Sequence, residues 1–206
     1  MGFLSVLSYA QQLVKERVQP GDFVVDATMG TGVDTLFLAR LVGPRGAVAA
    51  FDVQEQALVL TQKRLHEADE MLDVPKVQEA SRAARSTQVG LHLASHADML
   101  EVLPPTWHGK TAAVMFNLGY LPTADANKAV ITESGTTLKA LESAMTLLRP
   151  GGVLSIVLYP GHDGGDREAD AVLAWATALP QGMGQAVTYR MPQRPHAPYA
   201  IGVEKR

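Results

Sequence analysis

Phe23-Val24-Val25-Asp26-Ala27-Thr28-Met29-Gly30-Thr31-Gly32-Val33-Asp34-Thr35 is the stretch that decides the architecture. Three apolar residues in a row, two of them β-branched, read as a short buried strand that ends on an acid. Gly30 and Gly32 let the backbone turn tightly and approach a ligand without Cβ clashes. Helical spacing resumes from Val33 to Val42, with Leu36, Ala39 and Leu41 inward, and Gly43-Pro44 closes it. Strand, glycine turn and helix in this order open a parallel α/β sheet, whose ligands lie beyond the carboxyl ends of the strands.

The alternation continues on both sides. Leu4, Leu7, Gln11, Val14 and Val18 follow a helical spacing up to Pro20-Gly21. Further strands are expected at Ala47–Phe51, Val89–Ala94, Thr111–Phe116 and Val153–Tyr159, and helices over Gln54–Leu72, Glu133–Leu148 and Asp166–Leu179. Asp73–Thr87, alanine-rich and polar, reads as a surface connection and receives no role. Ala186–Met191 and Tyr199–Glu204 close the chain as a hairpin, which requires one antiparallel strand. The expectation is a single domain over residues 1–206. Its sheet is seven-stranded and mostly parallel, with one antiparallel strand and helices on both faces.

Composition narrows the field. With 206 residues, 47% of them hydrophobic, the chain suits one sizeable core. The N-terminus lacks the pattern of a secretory signal, and Val6 stands where a myristoylation start wants Ser or Thr. No apolar run is long enough to span a bilayer, so no membrane partner is expected. There is no cysteine, which excludes disulfide scaffolds and cysteine-based zinc sites and suits a cytoplasmic protein. The six histidines form no HExxH motif, and no metal is expected. A net charge of −3 does not point to nucleic acid, although a local basic rim can hold phosphates on a mildly acidic protein.

Two ligand classes compete for the glycine turn. A dinucleotide fingerprint needs a third glycine three residues after the second, and Thr35 occupies that place. Asp26, ahead of the glycines, repels a pyrophosphate but suits a sulfonium cofactor that carries an amino group. S-adenosylmethionine is therefore the expected cofactor, with Asp26, Thr28, Gly30, Thr31, Gly32, Asp34 and Thr35 lining its loop. Asp52, twenty residues past Gly32 and directly after the second strand, is placed to accept from ribose hydroxyls, with Gln54 beside it. His96 and Asp98 follow the third strand, where Asp98 is expected to accept from the adenine amino group.

Asn117-Leu118-Gly119-Tyr120-Leu121-Pro122 follows the fourth strand, on the side that faces a transferable methyl group. Amine methylation needs acceptors that aim the nitrogen lone pair at the methyl carbon. The Asn117 side-chain carbonyl and the backbone around Leu118 and Gly119 suit this task, and Tyr120 can stack on a base. Tyr159-Pro160-Gly161-His162-Asp163-Gly164-Gly165 follows the fifth strand on the same edge. His162 is a candidate to accept the amine proton, and Tyr159 to contact substrate. The loop from Arg190 to Pro198 holds Arg190, Arg194 and His196 without an acid, which makes the arginines candidates for phosphate contacts.

Asp26-Ala-Thr-x-Gly-x-Gly-x-Asp34-Thr35, Phe51-Asp52-Val-Gln54, Phe116-Asn-Leu-Gly-Tyr-Leu-Pro122, Tyr159-Pro-Gly-His-Asp-Gly-Gly165 and the terminal Glu204-Lys205-Arg206 occur in this order. Together they resemble the YtqB/MnmM-type rRNA methylase family over nearly the whole chain. The resemblance implies a Rossmann-like class I methyltransferase fold and S-adenosylmethionine as cofactor. It also implies transfer RNA as partner, bound through the anticodon stem-loop, and leaves a homodimer open. The implied reaction is N-methylation of 5-aminomethyl-2-thiouridine at the wobble position. On this reading Asp52 and Gln54 hold the cofactor's nucleoside, while Asn117 and the Tyr120 loop present the aminomethyl group. Ribosomal RNA is the alternative substrate, and cofactor binding without catalysis is a further one. Thr31 and Val33 depart from the Asn and His that the family often carries in the loop.

Overall fold

The computed structural model describes residues 2–71, 88–119, 134–161 and 165–206. The Asp73–Thr87 connection, Tyr120, Leu121-Pro122 and His162 lie outside them. Seven strands form one sheet: β1 Phe23–Asp26, β2 Ala47–Asp52, β3 Gln88–Leu93, β4 Thr111–Leu118, β5 Leu148–Leu158, β6 Gly184–Tyr189 and β7 Tyr199–Lys205, in the order β3-β2-β1-β4-β5-β7-β6. β1 to β5 pair in parallel, and β7 runs antiparallel to both β5 and β6. The expected sheet with a single reversed strand is therefore the one observed. Strand order reverses between β1 and β4, and the opening at that switch point is where such sheets take their ligands.

Helices α1 Val6–Lys15, α2 Val33–Val42 and α3 Glu55–Met71 cover one face of the sheet; α4 Ser134–Leu147 and α5 Gly165–Ala178 cover the other. Alternation of side chains along the strands divides the core accordingly. Val25, Phe51, Phe116, Leu118 and Ile156 pack toward α4 and α5, whereas Val24, Val48, Ala113 and Met115 pack toward α1 and α2. The central strands β2 and β4 are buried along almost their whole length, as a strand covered on both faces must be.

Two boundaries differ from the expected ones in ways that matter for the site. β4 extends to Leu118, because Asn117 and Leu118 remain in register with Val157 and Leu158 of β5. Asn117 therefore projects from a strand rather than from a loop. The terminal residues of the chain also serve the fold. Glu204 Oε2 accepts from Arg17 at 2.6 Å, and Lys205 Nζ donates to the carbonyls of Met145 and Leu148, both at 2.7 Å. Lys205 thus caps the carboxyl end of α4, whose last carbonyls have no partner within the helix. Among the described residues, no helix is long and apolar enough to cross a membrane.

Replacing Lys205 by Met keeps the aliphatic stem but leaves those carbonyls unpaired. Urea unfolding is expected to show a loss of about 1–2 kcal/mol, and a loss below about 0.3 kcal/mol would refute the capping role.

Candidate active site

The site is assembled from the carboxyl ends of β1, β2, β4 and β5. Asp26 is the last residue of β1 and only 1% exposed. Its Oδ2 accepts from Thr35 Oγ1 at 2.6 Å and its Oδ1 from the Thr28 N–H at 3.2 Å. One carboxylate thereby joins the start of the glycine loop to the first turn of α2. Gly30 has φ +50° and Gly32 φ +78°, both in the left-handed region that favours glycine. A Cβ on Gly32 would also meet Thr61 of α3 at 2.8 Å. α3 braces the loop from outside, since Arg64 Nε donates to the Thr31 carbonyl at 2.6 Å. Thr31 thus takes part through its backbone.

Asp52 ends β2 and reaches across to the same loop. Its Oδ2 accepts from the Gly30 N–H at 3.1 Å and its Oδ1 from the Gln54 N–H at 2.9 Å. Burial pushes its carboxyl above the ordinary carboxylate value, while the N–H groups of Gln54, Gly30 and Val53 oppose the shift. A carboxylate has about four acceptor positions, so this one retains capacity for hydroxyl donors. A turn with two left-handed glycines, a β2 carboxylate with spare lone pairs and the open amino end of α2 fit an adenosyl cofactor.

Asn117 is held on three sides. Its backbone N–H donates to Thr28 Oγ1 at 2.7 Å, its Nδ2 to Asp34 Oδ2 at 3.2 Å, and its Oδ1 accepts from the Tyr159 hydroxyl at 2.8 Å. Asp34 accepts through its other oxygen from Gln11 Nε2 at 2.8 Å. The charge of Asp34 and burial both push the Tyr159 hydroxyl above its ordinary value, burial first, so it stays protonated and donates.

The remaining candidates divide. His96 is 8% exposed and lies edge-on to Phe116 at 5.6 Å. Burial holds its pKa below the ordinary value against a hydrogen bond with the Ala27 backbone and the charge of Asp98, so the ring is neutral. Its Nε2 has no hydrogen-bond partner among the described residues. Asp98, expected at the adenine, pairs through Oδ1 with Lys139 Nζ at 3.0 Å, which leaves Oδ2 as a further acceptor. His92, four residues before His96, stacks on the Phe51 ring at 4.8 Å. The Leu118 side chain is buried in the core and leaves only backbone for a substrate. Gly119 lies under the Tyr159 ring, where an added Cβ would stand 3.4 Å away.

The Arg190–Pro198 loop does reach this edge, because β6 runs parallel to β5 and His196 lies against Gly161. Arg190 is engaged there, donating to the Pro195 carbonyl at 2.5 Å with its guanidinium 4.9 Å over the Tyr199 ring. Arg194 is exposed. Gln11, Thr61 and Arg64 were not expected at the site: Gln11 is a polar residue within the helical spacing of the first helix, and each of the three acts through a partner distant in sequence.

A sheet ordered β3-β2-β1-β4-β5-β7-β6, a glycine turn after β1 and an acid at the end of β2 define a class I methyltransferase fold. The particular family follows from comparison with known proteins. The model of the family described as "Putative rRNA methylase" matches residues 48–204, and the chain belongs to that family. It is 37% identical over 197 residues to the chloroplastic tRNA (mnm5s2U34)-methyltransferase of Arabidopsis thaliana, covering 93% of this chain and 66% of that protein. A solved rRNA-methylase structure from Clostridium thermocellum, described in the family's terms, superposes with a TM-score of 0.85 at 32% identity over the whole of both chains. A Streptococcus mutans structure described as a "putative methyltransferase", in complex with SAH, gives 0.80 at 31% identity, again over both whole chains.

Asp26 offers a test of this geometry. Burial, and then the charge of Asp34, push its carboxyl up to about 7 against the hydrogen bonds from Thr35 and Thr28. Between about pH 4 and about pH 7 the folded chain therefore binds more protons than the unfolded one, and stability falls as pH rises. Asp26→Asn is expected to flatten that slope in urea midpoints measured across the window. A wild-type slope that persists in the variant would assign the effect to another group.

Proposed function

We propose that this chain is a single-domain S-adenosylmethionine-dependent RNA methyltransferase that N-methylates the aminomethyl group of 5-aminomethyl-2-thiouridine at the wobble position of transfer RNA. The observation that carries the reading is the Asn117 amide, clamped at the carboxyl end of β4 by Thr28, Asp34 and Tyr159. The name and 37% identity of the Arabidopsis relative support the substrate, and the SAH complex of the Streptococcus mutans protein supports the cofactor. The anticodon stem-loop as bound element and a cytoplasmic location belong to the same proposal.

When bound, the cofactor supplies an electrophilic methyl group. Asp52 and Gln54 would hold its ribose, beside the backbone of Gly30–Gly32. Asn117 Oδ1 has one lone pair engaged by Tyr159 and one free. The free lone pair accepts an N–H of the substrate amine and aims the nitrogen along the line of attack. An alkylammonium resembles lysine, with a pKa of about 10.4, so the amine arrives protonated. It must shed that proton to water before attack, and burial beside the Tyr159 ring favours the neutral form. The exposed Arg194 is available to the phosphates of the loop that carries the base.

Nucleoside mass spectrometry of transfer RNA from cells lacking the protein is expected to show 5-aminomethyl-2-thiouridine accumulating. An unchanged transfer RNA profile beside a lost methyl mark in ribosomal RNA would move the activity to the substrate in the family's description. Two variants separate the halves of the site. Asp52→Ala is expected to abolish the rise in melting temperature that S-adenosylmethionine causes. Asn117→Ala is expected to keep that rise and lose about 100-fold in turnover; loss of both would place Asn117 in the cofactor pocket.

A further inference from the structure

We propose that Gln11 of α1 is a positioning residue that fixes which way the Asn117 amide faces. The inference rests on the reading of Asn117 as the group that receives the substrate amine. Four side chains from four elements form one chain: Gln11 Nε2 donates to Asp34 Oδ1 at 2.8 Å, Asn117 Nδ2 donates to Asp34 Oδ2 at 3.2 Å, and the Tyr159 hydroxyl donates to Asn117 Oδ1 at 2.8 Å. An amide can be reversed end for end at little steric cost, so its orientation must come from its partners. An ionised carboxylate only accepts. With the amide reversed, Asn117 Oδ1 would face Asp34 Oδ2 oxygen to oxygen, and Nδ2 would face the hydroxyl that now donates. Asp34 therefore dictates that the carbonyl end of Asn117 lies toward Tyr159 and the substrate side.

Asp34 can impose this only while its own carboxylate plane is held. It sits in the first turn of α2 and is partly exposed, so its χ2 rotates freely unless both oxygens are engaged. Asn117 engages one and Gln11 the other. Gln11 can do so because α1 is rigidly seated: Val6, Ala10 and Val14 are buried against the sheet, and Ser155 Oγ of β5 donates to the Ala10 carbonyl at 3.4 Å. The helix that precedes the sheet thus governs the geometry of an acceptor more than a hundred residues later in the chain.

Gln11→Glu is the informative variant, because it keeps the shape of Gln11 and replaces a donor by an acceptor that faces Asp34; Gln11→Ala removes the group. In the cofactor-free full chain, the side-chain amide of Asn117 is observed by ¹⁵N NMR and assigned by its loss in Asn117→Ala. Both Gln11 variants are expected to speed exchange of that amide at least about tenfold with melting temperatures within about 2 °C of wild type. In turnover, Gln11→Ala is expected to lower kcat about tenfold and Gln11→Glu further, with both KM values within about twofold. Unchanged amide exchange in both variants overturns the inference whatever the activity shows, as does kcat within about twofold of wild type in both. Wild-type turnover in Asn117→Ala is a separate outcome: it overturns the acceptor reading and, with it, the positioning role.

Discussion

A carboxylate buried at the end of β1 sets the geometry from which the rest of the site follows. Asp26 has almost no access to water, so its oxygens must be satisfied by the protein, and they are satisfied by Thr28 and Thr35. Those two residues flank the glycine turn, so meeting the needs of one acid also fixes where the turn begins and where α2 starts. Asp34, next to Thr35, is thereby aimed at β4, and Thr28 Oγ1 at the backbone of Asn117. The glycine turn and the end of β4 are positioned by the same few hydrogen bonds.

The two halves of the site are nevertheless braced from different directions. On the cofactor side, β2 contributes Asp52 to Gly30, and α3 contributes Thr61 and Arg64 against the back of the turn. Around Asn117, Tyr159 just after β5 and Gln11 of α1 are the braces. Each brace runs between elements that the sheet has already brought together, so the network adds orientation to a scaffold held by apolar packing.

Much of the fold was legible along the chain. The strand ends on Asp26 and Asp52, the glycine turn and the final hairpin could be read because each is a local pattern with a local cause: β-branched runs, left-handed turns and period-two alternation. Asn117 and Tyr159 could be singled out because each falls at the carboxyl end of a strand. What misled was equally local. Asn117 and Leu118 look like the start of a loop, yet the register with β5 keeps both in the strand and turns Leu118 inward. The partner of Asp98, Lys139 of α4, lies 41 residues away and is marked by no local pattern. The terminal Glu204 and Lys205 read as a motif, and the structure gives them Arg17 and the end of α4 as partners.

The sequence by itself determined the order of elements, the single reversed strand and the acids and glycines at the carboxyl ends of β1 and β2, since these depend on neighbours a few residues apart. The orientation of each polar group was decided only by the tertiary structure. Gln11, Asp34, Asn117 and Tyr159 come from four elements and span most of the chain. A hydrogen bond depends on distance and angle, which no spacing along the chain encodes.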